Sequence, residues 1–219
     1  MKKLYCNCIF CLVCLLMFGG LTVGAQDLPE SWDVVKKPTP EMLQQARSLA
    51  KARVKAFGTA PAATGPVTVD VLMIFDQSAQ KYCTNEALNG HRTLESFATA
   101  QIAKMNEVLS NSKITEFTYK LAGVETVEAD YGSAGCPTTL DYITSATRPE
   151  FKRVPLKRKL TGADVMVFFI DTGTNSGGQA NGASWALEGS PLGFQNQAIS
   201  VCAIRYSDKG YTTAHEVAT

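Results

Sequence analysis

The chain has 219 residues and a formal net charge of +1, which excludes a partner held by bulk charge. Hydrophobic residues make up 45% of it, enough for one well-packed domain and a short extension. It holds seven cysteines but only two histidines, His91 and His215, so a site built from three histidines cannot come from this chain alone.

The first 25 residues have the make-up of a secretory leader. Lys2 and Lys3 form a charged start, an apolar stretch follows from about Ile9 to Val23, and Val23-Gly24-Ala25 supplies small residues before a cut at Gln26. The apolar stretch is short and has no basic stop-transfer flank, so the expectation is a mature chain of about 194 residues with no membrane anchor. Its place is secreted, periplasmic or at the cell surface. Cys6, Cys8, Cys11 and Cys14 fall in the leader, leaving Cys83, Cys136 and Cys202. Export permits a disulfide, and the pairing among these three stays open.

Residues 26–66 are expected to be a pro-segment or N-terminal extension with a linker. A helix pattern runs from Glu41 to Phe57, with Pro40 near its first turn and Gly58 just past its end. Residues 58–66 are linker by composition. The stretch has no cysteine to act on a metal, and a solvated helix without inhibitory role is the simpler reading.

The main domain is expected over 67–219. Val67 to Phe75 is rich in β-branched and aromatic residues and predicts a core strand. Leu94, Phe97, Ala98, Ile102, Met105, Val108 and Leu109 recur at helical spacing, with Thr93 as the cap. Phe117 to Val124 alternates as a strand does. A helix is expected over Thr138 to Thr147, with Leu140 and Ile143 inward. Lys152, Arg153, Lys157, Arg158 and Lys159 form a basic run broken by Pro155. No aromatic residues interleave its centre, so a solvated loop or helix face is expected and no nucleic-acid partner. Gly162 to Asp171 is a near-continuous apolar run, which predicts a strand buried on both faces. Residues 173–182 form a Gly-rich loop without the Gly-Lys-Ser/Thr ending of a phosphate loop. Strands are expected over Ala183–Leu187 and Ala198–Ile204, and a final helix starts at Thr212-Thr213. Asp70, Asp130 and Asp171 are scattered and make no calcium loop.

His215-Glu216, in Thr212-Thr-Ala-His-Glu-Val-Ala-Thr219, matches the opening of H-E-x-x-H. Two histidines four apart share a helix face and can reach one zinc, and the glutamate between them serves as base toward the metal-bound water. Thr219 stands where the second histidine would. The plain alternative is a capping box, Thr213 with Glu216, which only closes a helix start.

The order of these stretches resembles the reprolysin-like (adamalysin-type) metzincin zinc metallopeptidases, including secreted bacterial ones. The residues that carry the likeness are Val69-Asp-Val-Leu-Met-Ile-Phe-Asp, the helix from Leu94 to Asn111, Phe117-Thr-Tyr-Lys-Leu-Ala-Gly-Val-Glu, Gly162-Ala-Asp-Val-Met-Val-Phe-Phe-Ile, Gly182-Ala-Ser-Trp-Ala, Ala198-Ile-Ser-Val and Thr212-Thr-Ala-His-Glu-Val-Ala. The resemblance implies an α+β fold: a metzincin-like N-terminal subdomain whose mixed, twisted sheet of four to five strands carries packed helices, with the C-terminal subdomain missing. It implies His215 as a zinc ligand and Glu216 as the catalytic base. The second ligand position is occupied by Thr219 and the third ligand is absent. It further implies that Gly182, Ala183, Ser184, Trp185 and Ala186 bind an extended protein or peptide substrate along an edge strand, in the manner of β-augmentation. Zinc belongs to the complete family member, and this chain is expected to hold it poorly and to be inert. The alternative is a secreted non-catalytic pseudo-protease or protein-binding module.

Overall fold

The computed structural model describes residues 33–36, 39–41, 44, 48, 65–89, 92–145, 148–173, 182–185 and 198–218. Six strands form one sheet: β1 (Asp33–Lys36), β2 (Val67–Phe75), β3 (Phe117–Thr126), β4 (Val165–Ile170), β5 (Gly182–Trp185) and β6 (Ile199–Ala203). Their spatial order is β1-β5-β6-β4-β2-β3. β3, β2, β4 and β6 run parallel, β5 is antiparallel to β6, and β1 is parallel to β5. The sheet is thus mixed and carries packed helices, and the chain from Val67 onward supplies five of its strands. The sixth, β1, comes from the stretch expected to be an extension.

Two-sided burial explains the centre of the sheet. Val71 to Phe75, Met166 to Ile170 and Ile199 to Ala203 are all buried, as parallel strands covered on both faces require. On one face Val71, Met73, Phe75, Val167 and Phe169 meet Phe97, Ala98, Met105 and Leu109 of the long helix α3 (Leu94–Asn111). Shorter helices α1 (Gln77–Thr84) and α2 (Glu86–Asn89) precede α3. The rings of Phe75, Phe97 and Phe169 form a triad with centroids 5.1–5.9 Å apart. On the other face Leu72, Ile74, Phe168 and Ile170 meet Cys136, Leu140 and Ile143 of α4 (Gly135–Ser145).

Several element ends shift for identifiable reasons. Thr93 caps α3 as predicted, accepting from Ser96 N at 3.1 Å. α4 begins at Gly135, three residues before the expected start. The basic run becomes a 3₁₀ turn (Pro149–Arg153) and helix α5 (Val154–Thr161). Gly162, expected as strand, closes α5 in the left-handed region at φ 71°, so β4 starts only at Val165. The chain then adds α6 (Ile204–Lys209) and α7 (Thr212–Ala218) after β6. Of the predicted N-terminal helix, Pro40, Glu41, Gln44 and Ser48 are helical. The expected leader, most of the expected linker, residues 174–181, His91, Ala186, Leu187 and Thr219 lie outside the described residues. No helix among the described residues is long and apolar enough to cross a membrane. Cys83, Cys136 and Cys202 are buried and no disulfide joins them. Burial pushes the Cys83 thiol up to about 12, with the Asp208 carboxylate adding to the effect.

Asp76 ties the end of β2 to α1 and to the turn beyond β3. It is fully buried. Its Oδ1 accepts from Ala79 N at 2.7 Å and Ser78 Oγ at 2.6 Å, capping α1, and its Oδ2 accepts from Tyr131 N at 2.7 Å. Asp76→Ala leaves two buried N–H groups without an acceptor and should cost about 2–4 kcal/mol in urea unfolding. Burial pushes the Asp76 carboxyl above its ordinary value, against the pull of its three donors. A group that binds its proton more tightly when folded favours the fold below its unfolded pKa and loses that contribution as pH rises through the folded value. The stability of the native chain relative to Asp76→Asn should therefore fall as pH rises from the acid side toward neutrality. A gap that does not change with pH would show that this carboxyl does not titrate in that window.

Candidate functional site

The site is assembled where β6 hands over to α6 and α7. Lys104 of α3 reaches the end of α6 and donates to the carbonyls of Ser207 (3.0 Å), Asp208 (2.5 Å) and Gly210 (3.2 Å). A cation is favoured at that helix end, where carbonyls lack intrahelical partners. Burial of the ammonium lowers its pKa. Arg205 makes a two-pronged pair with Asp171 just past β4, at 2.6 and 2.8 Å. Asp208 accepts from Tyr82 Oη at 3.0 Å and from Arg92 Nη1 at 2.5 Å. These contacts lock α6 against α1 and α3, and they set the direction in which α7 leaves.

At seven residues, α7 is too short to hold itself, and tertiary contacts hold it. Thr213 Oγ1 donates to Gln101 Oε1 at 3.0 Å, Ser200 Oγ of β6 donates to the Glu216 carbonyl at 3.0 Å, and Ala214 is buried in the core. This overturns the capping-box alternative. Thr213 lies within the helix with its hydroxyl on α3, and Glu216 points into the protein. Sequence reasoning misses Gln101 and Ser200, although a serine inside the apolar run Ile199–Ala203 is a signal that a buried hydroxyl has a partner to serve.

The structure brings Glu216 and Gly182 together. Glu216 is 1% exposed, and its side chain lies over β5. A Cβ added at Gly182 would fall 2.5 Å from Glu216 Cγ and Cδ, and closer still to Oε1, so only glycine fits beneath the carboxylate. Ser184 shares that face of β5 by strand alternation. It is buried, and its hydroxyl has no hydrogen bond among the described residues. Ala183 points the opposite way, into the core that α4 covers. The backbone of Trp185 continues β5, and Ala186 lies outside the described residues. His215, next to Glu216, is exposed. The two candidate residues therefore face different surroundings, Glu216 the sheet and His215 the outside.

The edge of β5 expected to receive substrate carries a strand already. β1 pairs along it in parallel register, Asp33 with Gly182, Val34 with Ala183, Val35 with Ser184 and Lys36 with Trp185. The stretch expected to be a pro-segment or N-terminal extension thus supplies one outer strand of the sheet.

A catalytic zinc needs three protein ligands and one open position. Among the described residues, no three His, Cys, Asp or Glu side chains group so as to hold a metal. His215 supplies one imidazole, and the neighbouring carboxylate is turned inward over β5. The residues present thus do not by themselves fit a zinc centre.

No protein-family description matches the chain, and no curated protein matches it. Among solved structures it is similar to metalloproteinase-II from Bacteroides fragilis, with 19% identity and a TM-score of 0.43, over 72% of this chain and 43% of that one. The chain thus spans less than half the length of that protein. An overlap of this size assigns neither family nor activity.

The Gly182–Glu216 contact sets a double-mutant test. Gly182→Ala should destabilise by about 1–3 kcal/mol through overpacking. In the Glu216→Ala background the same change should cost markedly less, because the clashing atoms are gone. Unfolding midpoints of the four proteins measure the coupling, and additive losses would mean that the two residues do not touch.

Proposed function

We infer that this chain is the strand-and-helix scaffold of a zinc-endopeptidase-type domain. It is built to hold an extended polypeptide along β5, with His215 as one metal ligand and Glu216 as the carboxylate beside it. The observation that carries this reading is the seating of the His-Glu helix against β5, with Glu216 on Gly182. A peptidase of this kind needs its base next to the strand that presents the peptide. The ordered resemblance to reprolysin-like peptidases supports the reading, and the leader-like N-terminus supports work outside the cytoplasm on protein or peptide substrates.

Hydrolysis on this reading requires metal ligands beyond those among the described residues, so no catalytic step is assigned. One imidazole holds zinc weakly. In equilibrium dialysis the 219-residue chain should take up zinc no better than its His215→Ala variant, and it should leave an unstructured protein substrate intact. Cleavage by the purified chain that a chelator stops and His215→Ala abolishes would show that a working centre does form.

A second reading, a non-catalytic module that binds extended peptide, is favoured by the burial of Glu216. Both readings place peptide on the same edge, and β1 competes for it. Proline at Val34 and Val35 removes two backbone donors from β1 and weakens its pairing. The variant should then capture extended peptides more tightly than the native chain in fluorescence anisotropy. Unchanged capture would show that the β5 edge is not where peptide binds.

A further inference from the structure

We propose that α5 and the turn before it form a docking surface for an anionic lipid bilayer. The starting point is a local inversion of amphipathicity. Val154, Arg158 and Thr161 lie on the inward side of α5. There Val154 is buried, the Arg158 guanidinium donates to the carbonyls of Ala163 and Asp164, and the Thr161 hydroxyl donates to those of Lys157 and Arg158. Leu156 and Leu160, one turn apart on the outer side, are 56% and 74% exposed. They are the two most exposed large hydrophobic residues among those described. A helix that turns an arginine inward and two leucines outward departs from the pattern that folding alone selects, and such departures mark functional surfaces.

Charge names the occupant. Lys152, Arg153 and Lys159 flank the leucines and are exposed, and none of the ion pairs among the described residues involves them. Lys157 is held by Glu125. The whole chain carries only +1, so this positive surface is local. The two leucines and the three cations are all exposed within one short stretch, Lys152 to Leu160. It suits a deformable surface with anionic groups outside and hydrocarbon just beneath. There the cations meet headgroups and the leucines pass below them. A polyanion such as nucleic acid would use the cations and leave the leucines in water.

The test is vesicle flotation with the chain from Gln26 onward, which keeps every described residue and removes the apolar leader. The vesicles are phosphatidylcholine alone, or phosphatidylcholine with an equal amount of phosphatidylglycerol. Binding is expected to the anionic vesicles and not to the neutral ones, and to weaken with added salt. The pair Leu156→Ser with Leu160→Ser, and the triple Lys152→Ser, Arg153→Ser and Lys159→Ser, should each lower partitioning about tenfold or more. All these side chains are exposed, so melting temperatures should stay close to that of the parent, and the loss reads out binding alone. No flotation of the parent chain would overturn the proposal. Full binding by the leucine pair would overturn it as well, by showing a polyanion site that the hydrocarbon does not help.

Discussion

The fold depends on burying three parallel strands on both faces at once. β2, β4 and β6 have no solvent side over most of their length, so nearly every residue there must be apolar and every backbone group must find its partner in the sheet. The phenylalanine triad fills one face and the α4 contacts fill the other. Polar chemistry is thereby pushed to the strand ends. Asp76 follows β2, Asp171 follows β4 and Arg205 follows β6, and each is tied to a neighbour across that end of the sheet. The candidate site lies beside this polar border because a parallel sheet leaves polar groups nowhere else to go.

That border also explains how so short a helix as α7 holds the two candidate residues in place. Its stability is borrowed from Lys104 at the end of α6, from Ser200 on β6 and from Gln101 on α3. Each anchor takes up a backbone or side-chain group that would otherwise be buried without a hydrogen bond, at a cost of about 1–3 kcal/mol apiece. The arrangement holds Glu216 on the sheet and leaves His215 outside. The peptide plane between the two residues therefore divides the buried half of the site from its open half.

Much of this is legible in the sequence, and the rest has a physical reason for hiding. The runs Val67–Phe75 and Val165–Ile170 announce themselves because two-sided burial needs unbroken apolar stretches, and α3 does so because its core stripe repeats at helical spacing over 18 residues. Residues 77–84 carry only Ala79, Tyr82 and Cys83 at helical spacing, too short a stripe to announce a helix, and Asp76 makes α1 a helix through a capping contact that composition does not display. β1 escapes notice because four residues with a charge at each end make too short and too polar a run to signal a strand. Its pairing with β5 is a contact across some 150 positions, and no local pattern encodes it. The meeting of Gly182 with Glu216 is hidden in the same way. The glycine's need to be small is visible only once the carboxylate is seen above it.

The parallel pairing of β1 bears on how the edge of β5 would be used. An edge strand left open invites another chain to pair with it, and proteins cover such edges with their own elements. β1 is short and meets the sheet through β5 alone in the strand order, so its backbone covers the edge from one side only. A covering strand of this kind can be exchanged for another extended segment at little cost to the rest of the sheet, whose burial lies in β2, β4 and β6. On the proposed reading the same edge would be closed by β1 in one state and peptide-bearing in another, with Gly182, Ser184 and Glu216 keeping their places. The competition would be decided by the backbone hydrogen bonds along four residue pairs, which is why proline in β1 acts on it and substitutions in the core do not.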